Sequence, residues 1–490
     1  MSRVRNSLYA SFLENYTITF LQFVSSIIIA RILSPADIGI FSIAVLFSGL
    51  AHTVRDFGVT QYLIQERELT DDKIRAAMAL SMGVAWLLAL ILFLLSGPIA
   101  SFYREPGVSS AIIVLALNFV LIPFGSVVMA LLRRALDYWA IFTIRVGSTL
   151  VNTIASVVLV VQGFGYMSLA WSALGGVVAT VLLCGLYRPS GLPRLPSMKR
   201  VPQVFSFSGR VVVTRVLAEL SRGVPELAVG RAQGMEAVGF LGRALGLLSM
   251  LDRVLMSALG SVTLPYFSKL EREGGDLKTN YVRAQAYVTG IAWPLLAFIA
   301  IAAGPIIGLL YGPQWGPSVP LVRVLCVAGV LASALPFLGE VLLSQGRADK
   351  HLKVQSLCAT FRVAIVIVIV TATATAPTGL LAVCVGMVTS AAFDLLVNYA
   401  FLRRAATLTW RDLVDGSSRS LAVMTLSGIG PAWIGFMGER LALTSFLAVL
   451  LASLTAALGW LAGLYLFRHP VRDELAVVAR RLRSRGTRQD

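Results

Sequence analysis

The sequence predicts an all-α polytopic membrane protein with fourteen transmembrane helices, arranged as two six-helix lobes around a central cavity plus two extra C-terminal helices. Composition is the first reason: 57% of the 490 residues are apolar and 14% are charged, with a mean hydropathy of +0.79. The second reason is that apolar runs of about 20 residues recur, which is the length that a helix needs to cross the hydrocarbon core. Strands of a membrane barrel would instead alternate over about 10 residues.

The predicted spans follow one another along the whole chain. Apolar windows of helical length are centred near residues 22, 50, 90, 120, 150, 176, 218, 252, 297, 331, 365, 390, 427 and 454. Every second loop carries basic residues, such as Arg133 with Arg134 or Arg403 with Arg404, and the loops between carry few. The positive-inside rule then places both termini in the cytoplasm, which requires an even number of spans. The net charge of +17 thus reflects membrane orientation, and no nucleic-acid partner is expected.

An internal repeat groups the spans into two lobes. Arg31 and Gly39 recur 200 residues later as Arg231 and Gly239, each pair lying between the first and second span of its half. A six-span repeat keeps both copies in one orientation, related by an axis along the membrane normal. We therefore expect the two copies to enclose a cavity.

A proline-rich stretch separates the predicted lobes. Residues 188–203 hold four prolines and predict a semi-rigid linker. The predicted division is 1–201 for the first lobe, 202–404 for the second, and 405–490 for the last two spans and a basic cytoplasmic tail. The tail is expected to rest on anionic lipid headgroups.

The sequence lacks the features that catalysis or metal binding would need. All four cysteines fall within apolar spans, so neither disulfides nor a metal site are expected. The outer loops are only a few residues long, as at 162–165, and no Gly-x4-Gly-Lys-Ser/Thr phosphate loop is present. We therefore expect a transporter rather than an enzyme, and no cofactor.

Arginines inside the apolar stretches are the strongest functional signal. Each costs roughly 3 kcal/mol at the centre of a membrane helix, so a large set persists only where it faces protein or water. A polar cavity for an anion is the simplest common cause. The set consists of Arg55, Arg145, Arg210, Arg215, Arg222, Arg243, Arg253 and Arg323.

Four stretches carry a resemblance to a known family. They are ARILSPADIGIFSIA at 30–44, DFGVTQYLIQ at 56–65, LLRRALDY at 131–138 and LYGPQW at 310–315. The sequence resembles the polysaccharide flippase family of the multidrug/oligosaccharidyl-lipid/polysaccharide exporter superfamily. The resemblance implies translocation of a polyprenyl-diphosphate-linked oligosaccharide from the inner to the outer leaflet of the bacterial inner membrane. It also implies alternating access between two six-span lobes, driven by an H+ or Na+ gradient without ATP. Expected partners are the lipid-linked oligosaccharide, membrane lipids, a polysaccharide polymerase and glycosyltransferases.

The resemblance implies that two of the arginines bind the lipid diphosphate. Arg55 and Arg253 occupy comparable places in the second span of each lobe, and a guanidinium fork suits a diphosphate. Their neighbours Asp56 and Asp252 point about 100° away around the helix, so neither pair closes a good local salt bridge. The alternative is that each arginine pairs with a carboxylate on another helix and locks its lobe. Both aspartates are also candidates for ion coupling.

The seventh span carries a stripe of charges. Arg215, Glu219, Arg222 and Glu226 are spaced four, three and four residues apart, which places them along one helical face. The stripe either neutralises itself or lines the cavity. In the second case the arginines bind substrate and a glutamate exchanges an ion, because buried carboxyls titrate nearer neutral pH.

Further polar residues each have two interpretations. Glu14 either extends the polar wall and serves ion coupling or is solvated near the cytoplasmic end. Arg145 either binds the headgroup or snorkels to the interface. His52 is either a proton site or a packing residue. Asp394 is expected to be the structural partner of a nearby arginine.

Other functions fit parts of the pattern. A peptidoglycan-precursor (lipid II) flippase shares the fourteen-span plan. A multidrug exporter belongs to the same superfamily, although a cationic cavity would repel organic cations. A membrane glycan polymerase or ligase would be expected to need a sizeable external loop, which the sequence lacks.

Overall fold

The structure is a computed structural model that describes residues 2–55, 59–188, 196–197, 209–373, 376, 378–440 and 444–477. For residues 2–8, 61, 209–215, 251–262 and 439–440 it describes the backbone alone. All regular secondary structure within these ranges is helical, which confirms the predicted all-α class. The chain divides into two units, Met1–Gly239 and Phe240–Asp490. The lobe boundary predicted at residue 201 lies outside the described residues.

The N-terminal unit combines helices that are distant along the chain. Its described helices are α1 (Ser2–Ile32), α2 (Pro35–Arg55), α3 (Val59–Gln65), α4 (Asp71–Tyr103), α5 (Pro106–Leu121), α6 (Pro123–Arg134), α7 (Tyr138–Val161), α8 (Met167–Leu186), α9 (Gly209–Gln233) and the start of α10 (Met235–Arg272). Here α2 packs against α5 and α9, and α7 packs against both α1 and α8.

The C-terminal unit contains the rest of α10 and the remaining helices. They are α11 (Leu277–Ile301), α12 (Ala303–Leu310), a 3-10 turn (Pro313–Trp315), α13 (Ser318–Ala334), α14 (Leu338–Ser344), α15 (Ala348–Ala372), α16 (Gly379–Ala405), α17 (Trp410–Arg440) and α18 (Ser445–Leu466). Here α11 packs against α13 and α17, and α18 packs against α17. The last two helices therefore belong to the packed unit through α11.

Among the described residues, eleven helices are long and apolar enough to cross a membrane, or twelve if α5 and α6 form one span. These match twelve of the predicted windows in order. The windows near residues 218 and 252 fall on α9 and α10, which are 25 and 38 residues long. The part of α9 whose side chains are described carries four charged residues, which lower its mean hydropathy, whereas α10 is not tested because the side chains of residues 251–262 lie outside the described ones. The chain is a membrane-embedded helical protein, and the count of fourteen spans remains a prediction.

The predicted span near residue 120 is broken in its middle. The axes of α5 and α6 differ by 53° at Ile122. Pro123 has no backbone N–H to continue the hydrogen bonds of α5, and its ring clashes with the carbonyl one turn earlier, so the axis bends there although Ile122 keeps helical backbone angles. The first turn of α6 is closed instead by the amides of Gly125 and Ser126, which donate to the Ile122 carbonyl at 3.0 and 3.1 Å. The proline therefore sets a new helix direction inside the span.

The repeat glycines meet at one junction within the N-terminal unit. A Cβ on Gly39 would overlap the backbone carbonyl of Met235, and a Cβ on Gly239 would overlap that of Pro35. The contact is reciprocal, because Pro35 and Met235 are also 200 residues apart. The first turns of α2 and α10 thus touch backbone to backbone, which glycine alone permits. This contact gives the sequence repeat a physical reason.

A buried hydrogen-bond chain fastens the residues after α18 to α11 and α17. The amide of Val471 donates to His469 Nδ1 at 3.3 Å, so Nε2 carries the ring proton and donates to Ser420 Oγ at 3.0 Å. Ser420 and Thr289 hydroxyls are 2.8 Å apart, and Thr289 donates to the Gln285 carbonyl at 3.0 Å. His469 therefore links the residues after the last helix to two other helices, beside the hydrogen bond that Arg419 donates to the Arg468 carbonyl.

Candidate functional site: a cationic pocket in the N-terminal unit

A pocket of about 410 Å³ opens in the N-terminal unit beside the end of α2. Residues of α2, α3, α6 and α8 line it. Its polar lining residues are His52, Arg55, Thr60, Ser126, Arg133 and Thr180, and the others are apolar or glycine. Among the described residues that line the pocket, none is acidic. Two guanidinium groups in a lining without a carboxylate suit the pocket to an anion.

Helical spacing explains how two walls of the pocket form. On α6, Gly125, Met129 and Arg133 are four residues apart and share one face. On α8, Val177 and Val181 are also four residues apart. Because α6 leaves α5 at 53°, the direction of the α6 face is set by the break between them.

The last turn of α2 supplies His52 and Arg55, three residues apart. The ring centroid of His52 lies 4.4 Å from that of Phe119 on α5, with the planes tilted by 36°. This contact gives His52 a packing role next to the break. Arg55 is half-buried and also borders a smaller cavity of about 20 Å³. Arg55 thus lies at a polar cavity, as an anion-binding role requires.

Two consecutive arginines at the end of α6 have different surroundings. Arg134 donates to the backbone carbonyls of Leu63, at 2.8 Å, and of Glu66, and so fastens the end of α3 to α6. Arg133 is exposed and lines the pocket. From the sequence, both arginines were interpreted only as a topology signal, and the pocket role of Arg133 was missed. Its four-residue spacing from Met129 was the pattern that could have indicated it.

The structure brings together two candidate site residues that were predicted from the sequence as unrelated. Arg145 donates to Glu14 at 2.6 Å, and the two form an ion pair between α7 and α1. The Glu14 side chain is 5% exposed and that of Arg145 is 46% exposed. Glu14 is therefore buried rather than solvated. The roles of Arg145 in substrate binding and of Glu14 in ion coupling stay predictions.

The charge stripe on α9 neutralises itself in part. Arg222 donates to Glu219 at 2.6 Å, three residues along the same helix. Glu226, one turn further on, is half-buried. In the part of the chain that the structure describes, no ion pair engages Glu226. The side chain of Arg215 lies outside the described residues.

Three other predicted site residues have side chains outside the described residues, and a further intramembrane arginine, Arg243, packs against aromatic rings. Asp56 lies outside the described residues, and Asp252 and Arg253 lie on α10 with their side chains outside them. Arg243 lies over the rings of Tyr311 and Trp315, at 5.0 and 5.2 Å from the ring centroids, in a cation–π arrangement. It therefore has a packing role within the C-terminal unit.

The predicted structural role of Asp394 is confirmed. Arg362 donates to Asp394 at 2.7 Å, and the two form an ion pair between α15 and α16. This arginine needs no substrate to explain its place in an apolar helix.

With this geometry described, comparison with known proteins identifies the family. The family described as "Polysaccharide biosynthesis protein" matches residues 28–320, which is more than half of the chain. The chain belongs to this family. The matched range contains α2, α6 and α8 and therefore most of the pocket lining.

Similar sequences come from several bacteria. The chain is 25% identical over 342 residues to the lipopolysaccharide biosynthesis protein WzxC of Escherichia coli (strain K12), covering 68% of each chain. It is 23% identical over 345 residues to the teichuronic acid biosynthesis protein TuaB of Bacillus subtilis (strain 168), covering 68% of this chain and 69% of that one. It is 24% identical over 326 residues to the succinoglycan biosynthesis transport protein ExoT of Rhizobium meliloti (strain 1021), covering 65% of each. The resemblance inferred from the four sequence stretches is thereby confirmed.

Solved structures show the same fold. A structure of the lipid II flippase MurJ superposes with a TM-score of 0.66 at 12% identity, covering 96% of this chain and 99% of that one. A multidrug resistance MATE family transporter of the same superfamily superposes with a TM-score of 0.62 at 18% identity, covering 80% and 94%. At these identities the likeness concerns the fold alone, which this chain shares with both structures.

Proposed function

We propose that this protein is a flippase that translocates a polyprenyl-diphosphate-linked oligosaccharide from the inner to the outer leaflet of the bacterial inner membrane. Its role would be in exopolysaccharide, O-antigen or capsule synthesis. Family membership supports this proposal, as do relatives named for lipopolysaccharide, teichuronic acid and succinoglycan biosynthesis, of which the last is named a transport protein. The observation that carries it is the pocket with Arg55 and Arg133 and no acidic residue in its described lining.

The chemistry of the pocket favours a diphosphate over the other substrates of the superfamily. A guanidinium presents paired N–H donors in a plane that matches two phosphate oxygens. An organic cation would be repelled by the same groups, which argues against a multidrug exporter. A lipid II flippase is the second candidate, because its substrate also carries a diphosphate. The names of the sequence relatives favour the polysaccharide precursor.

The proposed mechanism is alternating access between two lobes, with fourteen spans and both termini in the cytoplasm. Arg55 and Arg253 bind the diphosphate from opposite lobes. Glu226 is the best candidate to carry a proton, because Glu219 is already paired with Arg222. A polysaccharide polymerase and glycosyltransferases are the proposed partners in the pathway.

The proposal is tested with the purified protein in vesicles and a fluorescent polyprenyl-diphosphate-linked oligosaccharide. We expect the wild-type protein to move the labelled lipid to the opposite leaflet, where a quencher added on that side of the membrane reaches the label. Arg55→Ala should lower the rate at least tenfold, since a charge-assisted hydrogen bond is worth about 1.5–3 kcal/mol, and Arg55→Lys should retain part of it. Arg403→Ala, an exposed arginine at the end of α16, serves as the control. Full activity of Arg55→Ala, or transport of an organic cation instead, would contradict the proposal.

Ion coupling needs a separate measurement. In the same vesicles, collapse of the H+ and Na+ gradients should abolish net accumulation in the outer leaflet. Glu226→Gln should remove the response to a pH gradient, because the amide cannot exchange a proton. Accumulation that is unchanged after both gradients are collapsed would rule out coupling while leaving the flippase activity itself in place.

A further inference from the structure

Arg133 and Arg134 are adjacent, but a helix turns by about 100° between neighbouring residues. Arg134 therefore points towards α3, where backbone carbonyls accept its N–H groups. Arg133 points instead along the α6 face that lines the pocket. This difference makes Arg134 a structural residue and leaves Arg133 available to a ligand.

The protein supplies little to neutralise the charge of Arg133. Among the described residues, no ion pair engages it. Glu66, in the loop that Arg134 holds, is paired with Lys73 at 3.0 Å. The hydrogen bond from Lys73 lowers the pKa of Glu66, so that carboxylate is already committed to a cation. Within the described part of the chain, Arg133 is therefore open to an anion from outside.

Two of the three hydroxyl groups of the pocket, those of Ser126 and Thr180, donate within the protein. Ser126 Oγ donates to the Pro123 carbonyl at 3.1 Å, and Thr180 Oγ1 donates to the Gly176 carbonyl at 2.9 Å. Both hydroxyl protons therefore already bond to the protein backbone, and the hydroxyl oxygens carry no charge that could attract an anion. The guanidinium groups are the charged donors of the pocket, beside the Thr60 hydroxyl and the His52 ring, and they bind phosphate oxygens in pairs.

The volume of the pocket limits what can enter it. Ligand pockets span roughly 300–1,000 Å³, and 410 Å³ lies at the small end of that range. The space suits a diphosphate with its first sugar, and the rest of an oligosaccharide would extend out of the open pocket. Arg133 is exposed at the pocket, and Arg55 is half-buried. An entering headgroup would therefore meet Arg133 before it reaches Arg55.

We propose that Arg133 and Arg55 form a capture site for the diphosphate headgroup at the cytoplasmic end of the N-terminal unit. The assignment of Arg133 goes beyond the proposed function and rests on it. Positions 131–135 and 401–405 read Leu-Leu-Arg-Arg-Ala and Phe-Leu-Arg-Arg-Ala. Arg403 therefore offers a matched control, because it is exposed in the last turn of α16 and follows a leucine as Arg133 does.

The test measures binding of undecaprenyl diphosphate to the purified full chain in nanodiscs of neutral lipid. Arg133→Ala should weaken binding about tenfold, as loss of a charge-assisted contact predicts. Arg133→Lys should recover part of the affinity through its point charge, and Arg403→Ala should bind as the wild type does. Thermal unfolding should be unchanged in Arg133→Ala, which separates loss of binding from loss of fold.

A second arm distinguishes the two sources of a phosphate headgroup. Phosphatidylglycerol in the nanodisc should compete weakly, since it carries one phosphate and the site is built for two. Equal competition per lipid would overturn the assignment to a diphosphate. Wild-type binding with no effect of Arg133→Ala would overturn the capture site and leave the flippase proposal standing. Absence of both binding and flipping in the wild type would overturn the proposed function and the capture site with it.

Discussion

At the residue scale, the arginines of this protein divide by what surrounds them rather than by how deep they lie in apolar sequence. Arg145 has a buried carboxylate partner in Glu14, and Arg362 has a half-buried one in Asp394. Arg243 instead lies against aromatic rings. These partners lower the cost of keeping a charge in an apolar helix, and none of them needs a substrate. Arg55 in addition borders a cavity open to a ligand.

Arg134→Ala should destabilise the protein while leaving the pocket charge intact. The substitution removes the donors to the carbonyls at the end of α3, and a hydrogen bond from a charged group contributes about 2 kcal/mol. We expect Arg134→Ala to have a lower midpoint of thermal unfolding than Arg133→Ala. Unfolding is monitored by tryptophan fluorescence. Equal midpoints for the two variants would show that the contact to α3 contributes nothing to stability.

At the element scale, the junction of α2 and α10 depends on the absence of a side chain at two positions. Gly39→Ala places a methyl group on the Met235 carbonyl, so the first turns of the two helices must move apart. We expect a lower thermal midpoint and slower flipping in vesicles. Gly49→Ala on the same helix is the control, because the nearest atom to its Cβ, Glu219 Oε1, is 4.0 Å away. Equal behaviour of the two variants would mean that the helices separate without cost.

The anchor after α18 predicts a pH dependence of stability. Burial, with a smaller contribution from Arg419, lowers the pKa of His469 to about 4 from its ordinary value of 6.5. The folded state therefore favours the neutral ring, and the unfolded chain takes up a proton first as the pH falls. The contribution of His469 to stability is complete above pH 6.5 and is lost as the pH falls towards 4.

We expect the thermal midpoint of the wild type to fall across this pH window. His469→Gln, whose amide can still donate to Ser420, should show a smaller fall over the same range. Because carboxylates titrate near the lower end of this window, the comparison is made as the difference between the two proteins. A difference that does not change with pH would exclude the histidine as the cause.

At the scale of the whole molecule, the predicted topology is open to direct measurement. A cysteine introduced at Arg133 or Arg403 should react with an impermeant maleimide only from the cytoplasmic side, and one at Gly163 only from the outside. The natural cysteines are all buried, so the background labelling should be low. Labelling of positions 133 and 403 from opposite sides would show that the count of spans between them is odd and that fourteen is wrong.

The sequence alone predicted the coarse features of the fold because they depend on composition and period. Twelve of the predicted windows fall on a candidate span or on the bent pair. Of the other two, the window on α10 includes residues outside the described ones, and the window on α9 holds Glu219, Arg222 and Glu226, the charges of functional interest that lower its hydropathy. Hydropathy therefore gives its weakest signal where a helix is polar, and the basic content of the loops supported the count there.

The chemistry expected of the cavity also followed from the sequence, since a set of intramembrane arginines indicates an anion whatever the packing. Which arginine faces a pocket was decided by tertiary structure. Arg133 and Arg134 are the same residue type at adjacent positions, and their roles differ because the break at Pro123 directs one face of α6 to the pocket and the next to α3. Likewise, Glu14 and Arg145 are 131 residues apart, and only the packing of α1 on α7 makes them a pair. Composition determines that charges must be accommodated within the membrane, whereas the direction of each helix face determines what accommodates them.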